Sequence, residues 1–353
     1  MRWAIWGHLW TDTQREGGRP AAIVERCRAS GIELYLPHTY PIAASSRGYF
    51  SPGITYASRL FALPVHDLLT PLLAAAHAAR VRVQPWLLPF VTELQHGESA
   101  EELFPRRAYQ SAEFARAGAG APPDGAAKDG KVLCPTWPEN RARAVRALHD
   151  LLAAGGPHLT GINLDMVRYP NADVSWDRPC HCQACRREYL RLFGTDTLRP
   201  EDLRQPAVAY LFARMRNACI RALVEEIRDI TRGAGLELTV SARAHYYEAA
   251  VLEGQDWVAW ARDGLVDAVL TMNYTADRAA HATHVQLHGR LMRQQQRALH
   301  YDGVGRGSSM GENPIEAVLT LARDSLAAGA DGVSIFHYNA MRDDDFRRLA
   351  DLA

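Results

Sequence analysis

The 353-residue chain predicts an α/β fold of the (β/α)8 TIM-barrel type, on three observations. Short apolar runs alternate with helical patterns over the whole length, the signature of βα units on a parallel sheet. Eight runs can be counted, and the two longest interruptions follow runs three and four, on the side of the strands where barrels keep their chemistry. No Gly-rich turn follows the first run, which disfavours the open, doubly wound sheet that is the main alternative.

The predicted strands are Trp3–Gly7, Ile32–Pro37, Arg82–Leu88, Gly161–Val167, Glu237–Ala244, Asp267–Tyr274, Ala298–Gly303 and Gly332–Tyr338. Apolar residues at helical spacing predict helices over Arg19–Ser30, Asp67–Ala79, Glu139–Ala154, Ala207–Arg232, Ala279–Gln296 and Pro314–Ala328. The expectation is one barrel domain over 1–353. A long loop at 89–138 after strand three contains the Gly/Ala/Pro run Ala117–Asp129, and a second at 171–206 after strand four carries a cysteine cluster. Loops of this length in a compact domain tend to be functional or disordered, and the Gly/Ala/Pro run reads as a flexible one.

Charge balances at 40 basic against 40 acidic residues, so there is no electrostatic footprint for nucleic acid or an anionic membrane. The basic residues are almost all Arg, with Lys only at 128 and 131, a bias of composition rather than a phosphate site. No apolar run approaches the roughly 18 residues of a membrane span, and Met1 leads straight into the first strand without a leader pattern. A cytoplasmic protein is expected, or a secreted one if a leader had been removed; a homo-oligomer stays open.

Alternation splits each strand into a helix-facing and a lumen-facing set. In strand four Ile162, Leu164 and Met166 form one set, and Asn163 and Asp165 the lumen set. Strand five contributes Thr239, Ser241, Arg243 and His245, strand six Thr271 and Asn273, and strand seven His300 and Asp302, so a polar set converges on one lumen. A carboxylate buried there costs several kcal/mol unless it is paired or used. Arg243 or Arg168 is the expected partner of Asp165; a purely structural ion pair is the rival reading.

Six cysteines are present, and Cys180, Cys182 and Cys185 form a C-x-C-x-x-C cluster. In a large chain with no leader that spacing favours metal over disulfides. Cys27 and Cys219 fall in helical patterns and are expected to be small core residues.

The segment Cys134-Pro135-Thr136-Trp137-Pro138-Glu139-Asn140-Arg141, followed by a helix and the strand Gly161-Ile162-Asn163-Leu164-Asp165-Met166-Val167-Arg168-Tyr169-Pro170, resembles the bacterial family-ten-like glycosyl hydrolases. Val266–Tyr274 and Gly332–Phe336 extend the likeness, which spans about 130–340. It implies a barrel acting on glycans, with Asp165 at the catalytic position. Thr160 and Asn163 depart from that pattern, where Asp and His are common. The strand also resembles that of chitinase-like barrels, but Val167 stands near their acid Glu, so a mechanism needing that glutamate is not expected. The cysteine cluster resembles that of zinc-carrying β-galactosidases, which implies a structural Zn2+ on Cys134, Cys180, Cys182 and Cys185, with His181 as an alternative ligand and no organic cofactor. Four thiolates leave no open position, hence the structural role.

Glycoside hydrolysis needs one protonated carboxyl and one carboxylate acting as base or nucleophile. In many such barrels they end strands four and seven, so Asp165 and Asp302 are the expected pair, with Glu248 in reserve. Aromatic faces stack on sugars, while amides and imidazoles bond their hydroxyls. His38, Tyr40, Trp137, Asn163, Arg168, Arg243, His245, Asn273, Tyr274, His337 and Tyr338 are the candidate contacts to a carbohydrate, Tyr274 also as stabiliser of an N-acetyl-derived oxazolinium. Two other classes remain: a non-hydrolytic carbohydrate-binding barrel, and a barrel lyase or isomerase using a metal held by His38, His245, Asp165 or His337.

Overall fold

The computed structural model of the chain describes residues 1–42, 50–61, 63–91, 132–171, 176, 178–294, 297–308 and 310–352. The run Ala117–Asp129 therefore lies outside the described residues. Nine parallel segments form one sheet, beginning with β1 (Trp3–His8), β2 (Ile32–His38), β3 (Arg82–Val83) and β4 (Trp86–Leu87). The others are β5 (Gly161–Leu164), β6 (Glu237–Arg243), β7 (Ala268–Met272), β8 (Leu299–Gly305) and, after a short antiparallel ribbon β9 (Gly307–Ser308) and β10 (Gly311–Glu312), β11 (Gly332–Phe336). Their order is β3-β2-β1-β11-β8-β7-β6-β5-β4.

The two ends of that order are one strand. Pro85 has no N–H and breaks the ladder between β3 and β4. The first half pairs with β2, with Leu34 opposite Arg82 and Gln84 N donating to Tyr35 O at 3.1 Å. The second half pairs with β5, with Trp86 opposite Asn163 and Asn163 N donating to Pro85 O at 3.0 Å. The sheet closes on itself as an eight-stranded α/β barrel, with strand three made of two short pieces.

The outer layer is α1 (Leu9–Arg15), α2 (Pro20–Ala29), α3 (Leu69–Ala79), α4 (Pro138–Gly155), α5 (Gln183–Phe193), α6 (Pro206–Gly233), α7 (Tyr246–Leu252), α8 (Trp257–Arg262), α9 (Arg278–Arg293), α10 (Ile315–Ala327) and α11 (Asp343–Ala350). Three of them, α2, α4 and α6, start on a proline, where the missing N–H costs nothing and φ is already helical. The helices α1, α5, α7, α8 and α11 and the β9–β10 ribbon are additions to the predicted elements. Among the described residues no helix is long and apolar enough to cross a membrane.

The lumen is filled from below by long-range contacts. Tyr301 Oη on β8 reaches Glu33 on β2 at 2.9 Å and Arg82 on β3 at 3.2 Å, across the interior. Above them Gln84 binds Glu237 at 2.6 Å and accepts from Thr239 at 2.8 Å. Asn163 donates to Thr239 at 3.0 Å and accepts from Ser241 at 2.8 Å. A Cβ at Gly161 would lie 2.9 Å from Gln84 Nε2, so only glycine admits this layer. Asn163, Thr239 and Ser241 thus lie in the lumen as expected, as a buried floor beneath the mouth.

Candidate active site

Asp165 stands where the barrel floor ends. Its N–H still donates to Leu87 O on β4 at 3.0 Å, and the chain then turns away. Met166 takes a left-handed backbone, φ 53°, a conformation costing a non-glycine residue about 1–2 kcal/mol. That turn points the Met166 N–H back onto Asp165 Oδ1 at 2.9 Å. The carboxyl is half-buried at the rim. Burial raises its pKa above the ordinary 3.8, against the opposing pull of the Met166 N–H, the Arg168 charge and the Ser241 hydroxyl. A carboxyl so placed is suited to donate a proton.

Beside it Tyr274 packs on Phe336 with ring centres 5.0 Å apart. Its phenol is held well above the usual range by burial and by the charges of Asp165 and Asp302. Across the mouth lies a wall of rings: His8 at 5.8 Å from His38, 5.1 Å from His337 and 6.2 Å from Phe336, with Trp86 5.0 Å from His38 and 5.3 Å from Trp6. Burial pushes His38 down to about 3, and burial with the neighbouring His38 and His337 holds His8 well below 6.5. Uncharged imidazoles and flat apolar rings are what a neutral polyhydroxylated ligand requires. Tyr40 stands one layer back, against Tyr56 and Phe61, and Trp137 is half-buried as the N-cap of α4. His8, Trp6 and Phe336 were not foreseen; the signal for His8 was available, since it ends β1 in register with His38 at the end of β2.

The expected pairing of Asp165 with Arg168 or Arg243 is corrected. Both guanidinium groups converge on Glu253, at 3.3 Å and 3.4 Å, a carboxylate with no exposed side-chain surface. Arg168 also donates to Tyr169 O and Asn171, so it clamps the loop after β5 and acts on Asp165 only through its charge. Arg243 is half-buried and places a second nitrogen 3.8 Å from Glu248 Oε1, at the start of α7. Glu253 had no sequence signal, because it lies beyond a helix that was not predicted.

A larger correction concerns β7 and β8, whose alternation is the reverse of that expected. Thr271 and Asp302 share a 3.0 Å hydrogen bond, and Asp302 lies 2.9 Å from His281 on α9 and 2.7 Å from Ser325 on α10. These residues, with His300 and Asn273, face the helices. Gly303 and Gly305 face inward instead, where a Cβ at either would meet the Tyr274 side chain, 3.1 and 3.2 Å away. Burial alone would raise the Asp302 carboxyl, but the surrounding imidazoles outweigh it and hold it well below the usual range. Sealed from the lumen, Asp302 cannot be the second carboxylate. His245 is exposed and packs on His284, 4.3 Å away, while Tyr338 is buried against Tyr35 and Phe346 and donates to Glu16 at 2.9 Å. Asn273 and Tyr338 therefore face away from the lumen, while His245 stays exposed at the rim just past β6.

The cysteines do come together. Cys134, just before α4, and Cys180, Cys182 and Cys185, around the start of α5, are all buried, with their sulfurs within 4.8 Å of one another. Tetrahedral Zn–S bonds of about 2.3 Å need sulfurs about 3.8 Å apart, so the donor set fits a metal ion. Burial drives the thiols of Cys180 and Cys185 upward, and a dication is what would make four thiolates tolerable there. Cys185 also lies 3.3 Å from Thr136 Oγ1, which meets Tyr169 Oη at 2.8 Å, four residues after Asp165. Cys27 is a buried core residue; Cys219 is only half-buried.

No family model and no curated protein matches the chain. Solved structures do. The glycoside hydrolase domain of PgaB (BpsB) from Bordetella bronchiseptica superposes with a TM-score of 0.72 at 13% identity, covering 98% of this chain and 95% of that one. The C-terminal domain of a putative chitinase from Desulfitobacterium hafniense gives 0.55 at 8% identity, covering 100% and 97%. The endo-β-1,4-mannanase of Thermotoga petrophila gives 0.53 at 11% identity, covering 100% and 76%. At these identities the likeness is one of fold, an α/β barrel whose structural neighbours are glycoside hydrolases.

Proposed function

We propose that the protein is a glycoside hydrolase that cleaves an oligo- or polysaccharide at the C-terminal mouth of the barrel, with Asp165 as its acid/base. The observation that carries this is the half-buried carboxyl at the end of the fourth barrel strand, raised by burial and fixed by the Met166 N–H on one oxygen. As the acid it protonates the departing glycosidic oxygen; ionised, it takes a proton from the attacking water. The wall of His8, His38, His337, Trp86 and Phe336 gives the sugar rings a stacking and hydrogen-bonding surface. Glu248, with Arg243 3.8 Å away, is the proposed second carboxylate in place of the enclosed Asp302. The resemblance of the strand-four segment and the glycosidase neighbours support the same reading.

The four cysteines are proposed to hold a structural Zn2+ that ties the loop before α4 to the loop after β5. Four thiolates around one ion would leave no open position for the reaction, and would order the segment that follows Asp165. Purified protein is expected to carry zinc released by thiol-reactive reagents.

The deciding experiment compares wild type and Asp165→Asn on chito-, manno- and poly-N-acetylglucosamine oligosaccharides, reading reducing ends. Cleavage by wild type and its loss in the variant support the proposal. Equal cleavage by both would refute it, and tight binding without cleavage by wild type would favour the non-hydrolytic carbohydrate-binding reading.

A further inference from the structure

Beneath α9 and α10, on the helix-facing side of the sheet and away from the lumen, His281, His288, His300 and Asp302 lie together with no exposed surface. One ring nitrogen each from His288 and His300 and a carboxylate oxygen of Asp302 fall within 4.8 Å of one another. We propose that these three side chains form a second, closed binding site for a divalent transition-metal ion, independent of the cysteines and of the glycosidase reading.

The hydrogen bonds fix which nitrogens are free to bind. His288 Nε2 lies 2.7 Å from Ala244 O; a carbonyl can only accept, so Nε2 carries the proton. In the neutral ring Nδ1 then presents its lone pair, 3.9 Å from Asp302 Oδ1. That gap is too long for a hydrogen bond, and a closure of about half an ångström would bring the pair to the roughly 3.4 Å that separates N and O ligands of one tetrahedral ion. Thr271 Oγ1 spends its proton on Asp302 Oδ1 at 3.0 Å, so it accepts from His300 Nε2 at 3.1 Å. His300 Nδ1 is left with its lone pair, and both it and His288 Nδ1 are buried without a hydrogen-bond partner. A backbone carbonyl behind one histidine and a hydroxyl behind the other is the outer support that metal-bound imidazoles carry. Two imidazoles and one carboxylate select a borderline ion such as Zn2+ or Co2+ over Mg2+ or Ca2+. Ser325 Oγ donates to the other carboxylate oxygen at 2.7 Å, and His281 Nε2 lies 2.9 Å from it without the geometry of a hydrogen bond.

The test uses the intact protein, expressed with zinc and dialysed, with metal content and zinc X-ray absorption as readouts. Two zinc ions per chain are expected, with a first shell mixing sulfur at about 2.3 Å and nitrogen or oxygen at about 2.0 Å. A pure sulfur shell, or protein without zinc, would overturn the proposal. Cys134→Ser/Cys185→Ser protein is expected to keep one equivalent with nitrogen and oxygen ligands only. His288→Gln/His300→Gln protein is expected to keep one equivalent with a pure sulfur shell. Should either variant fail to fold, the metal count of the unmodified chain still decides, and one zinc per chain, whatever its shell, overturns the proposal.

Discussion

Asp165, just past the end of β5, and Asp302, in the middle of β8, look alike in the sequence, each an acidic residue in an apolar run. In the fold they are opposites. Asp165 lies half-buried at the mouth with one backbone N–H on it, and its affinity for a proton is raised. Asp302 is fully enclosed among two hydroxyls and three imidazoles, and its affinity is lowered. The difference teaches that burial does not by itself mark a reactive carboxyl. What marks it is burial left without enough donors, on the side a substrate can reach.

The sharpest way to break the comparison is to neutralise each carboxyl in turn. Asp165→Asn is expected to lower kcat/KM by about 10²–10⁴-fold, the range for a lost acid/base. Its melting temperature is expected to stay or rise, because a carboxyl with a raised pKa destabilises the folded state once ionised. Asp302→Asn should do the reverse, losing about 3–5 kcal/mol in denaturant titrations while the folded fraction keeps its turnover. If Asp302→Asn left stability intact and abolished turnover, the two roles would have to be exchanged. Gly303→Ala tests the close approach of β7 to β8: with Thr271 O 2.1 Å from the new Cβ it should cost about 1–3 kcal/mol in denaturant titrations, and an unchanged midpoint would show that no such approach exists.

A third carboxyl sharpens the scale. Asp12 is buried outside the lumen with only the Tyr35 hydroxyl at 2.7 Å and the His8 N–H at 2.9 Å, and burial lifts its pKa from 3.8 to about 7. The folded state therefore holds a proton that the unfolded chain releases first. Its contribution to stability is complete below about pH 4, declines by up to about 1.4 kcal/mol per pH unit toward pH 7, and levels off above. Asp12→Asn should flatten that part of the profile in urea titrations from pH 4 to 8; an unchanged slope would place the titration elsewhere.

All eight strands were legible, because a buried parallel strand writes itself as an apolar run. The alternation of β5 and β6 was legible too, since Asn163, Thr239 and Ser241 interrupt apolar neighbours. On β7 and β8 the same rule failed. It assumes that polar residues face the lumen, yet here α9 offers His281 and His288, seven residues apart and so on one face, to meet Thr271, His300 and Asp302. Gly303 and Gly305 were the overlooked signal, two glycines in alternation on a strand. Glu253 was not legible because its role depends on two arginines brought to it by separate strands. The cysteine set was legible from spacing for three members and from resemblance for Cys134.

In most barrels the loops at the ends of successive strands can be exchanged singly, which is how one scaffold acquires many specificities. The hydroxyl pair Thr136–Tyr169, with Cys185 behind it, removes that freedom for two of them here. Any transplant of the third loop that omits its last turn would shift the partner segment as well, so specificity in this chain has to be exchanged as a two-loop cassette.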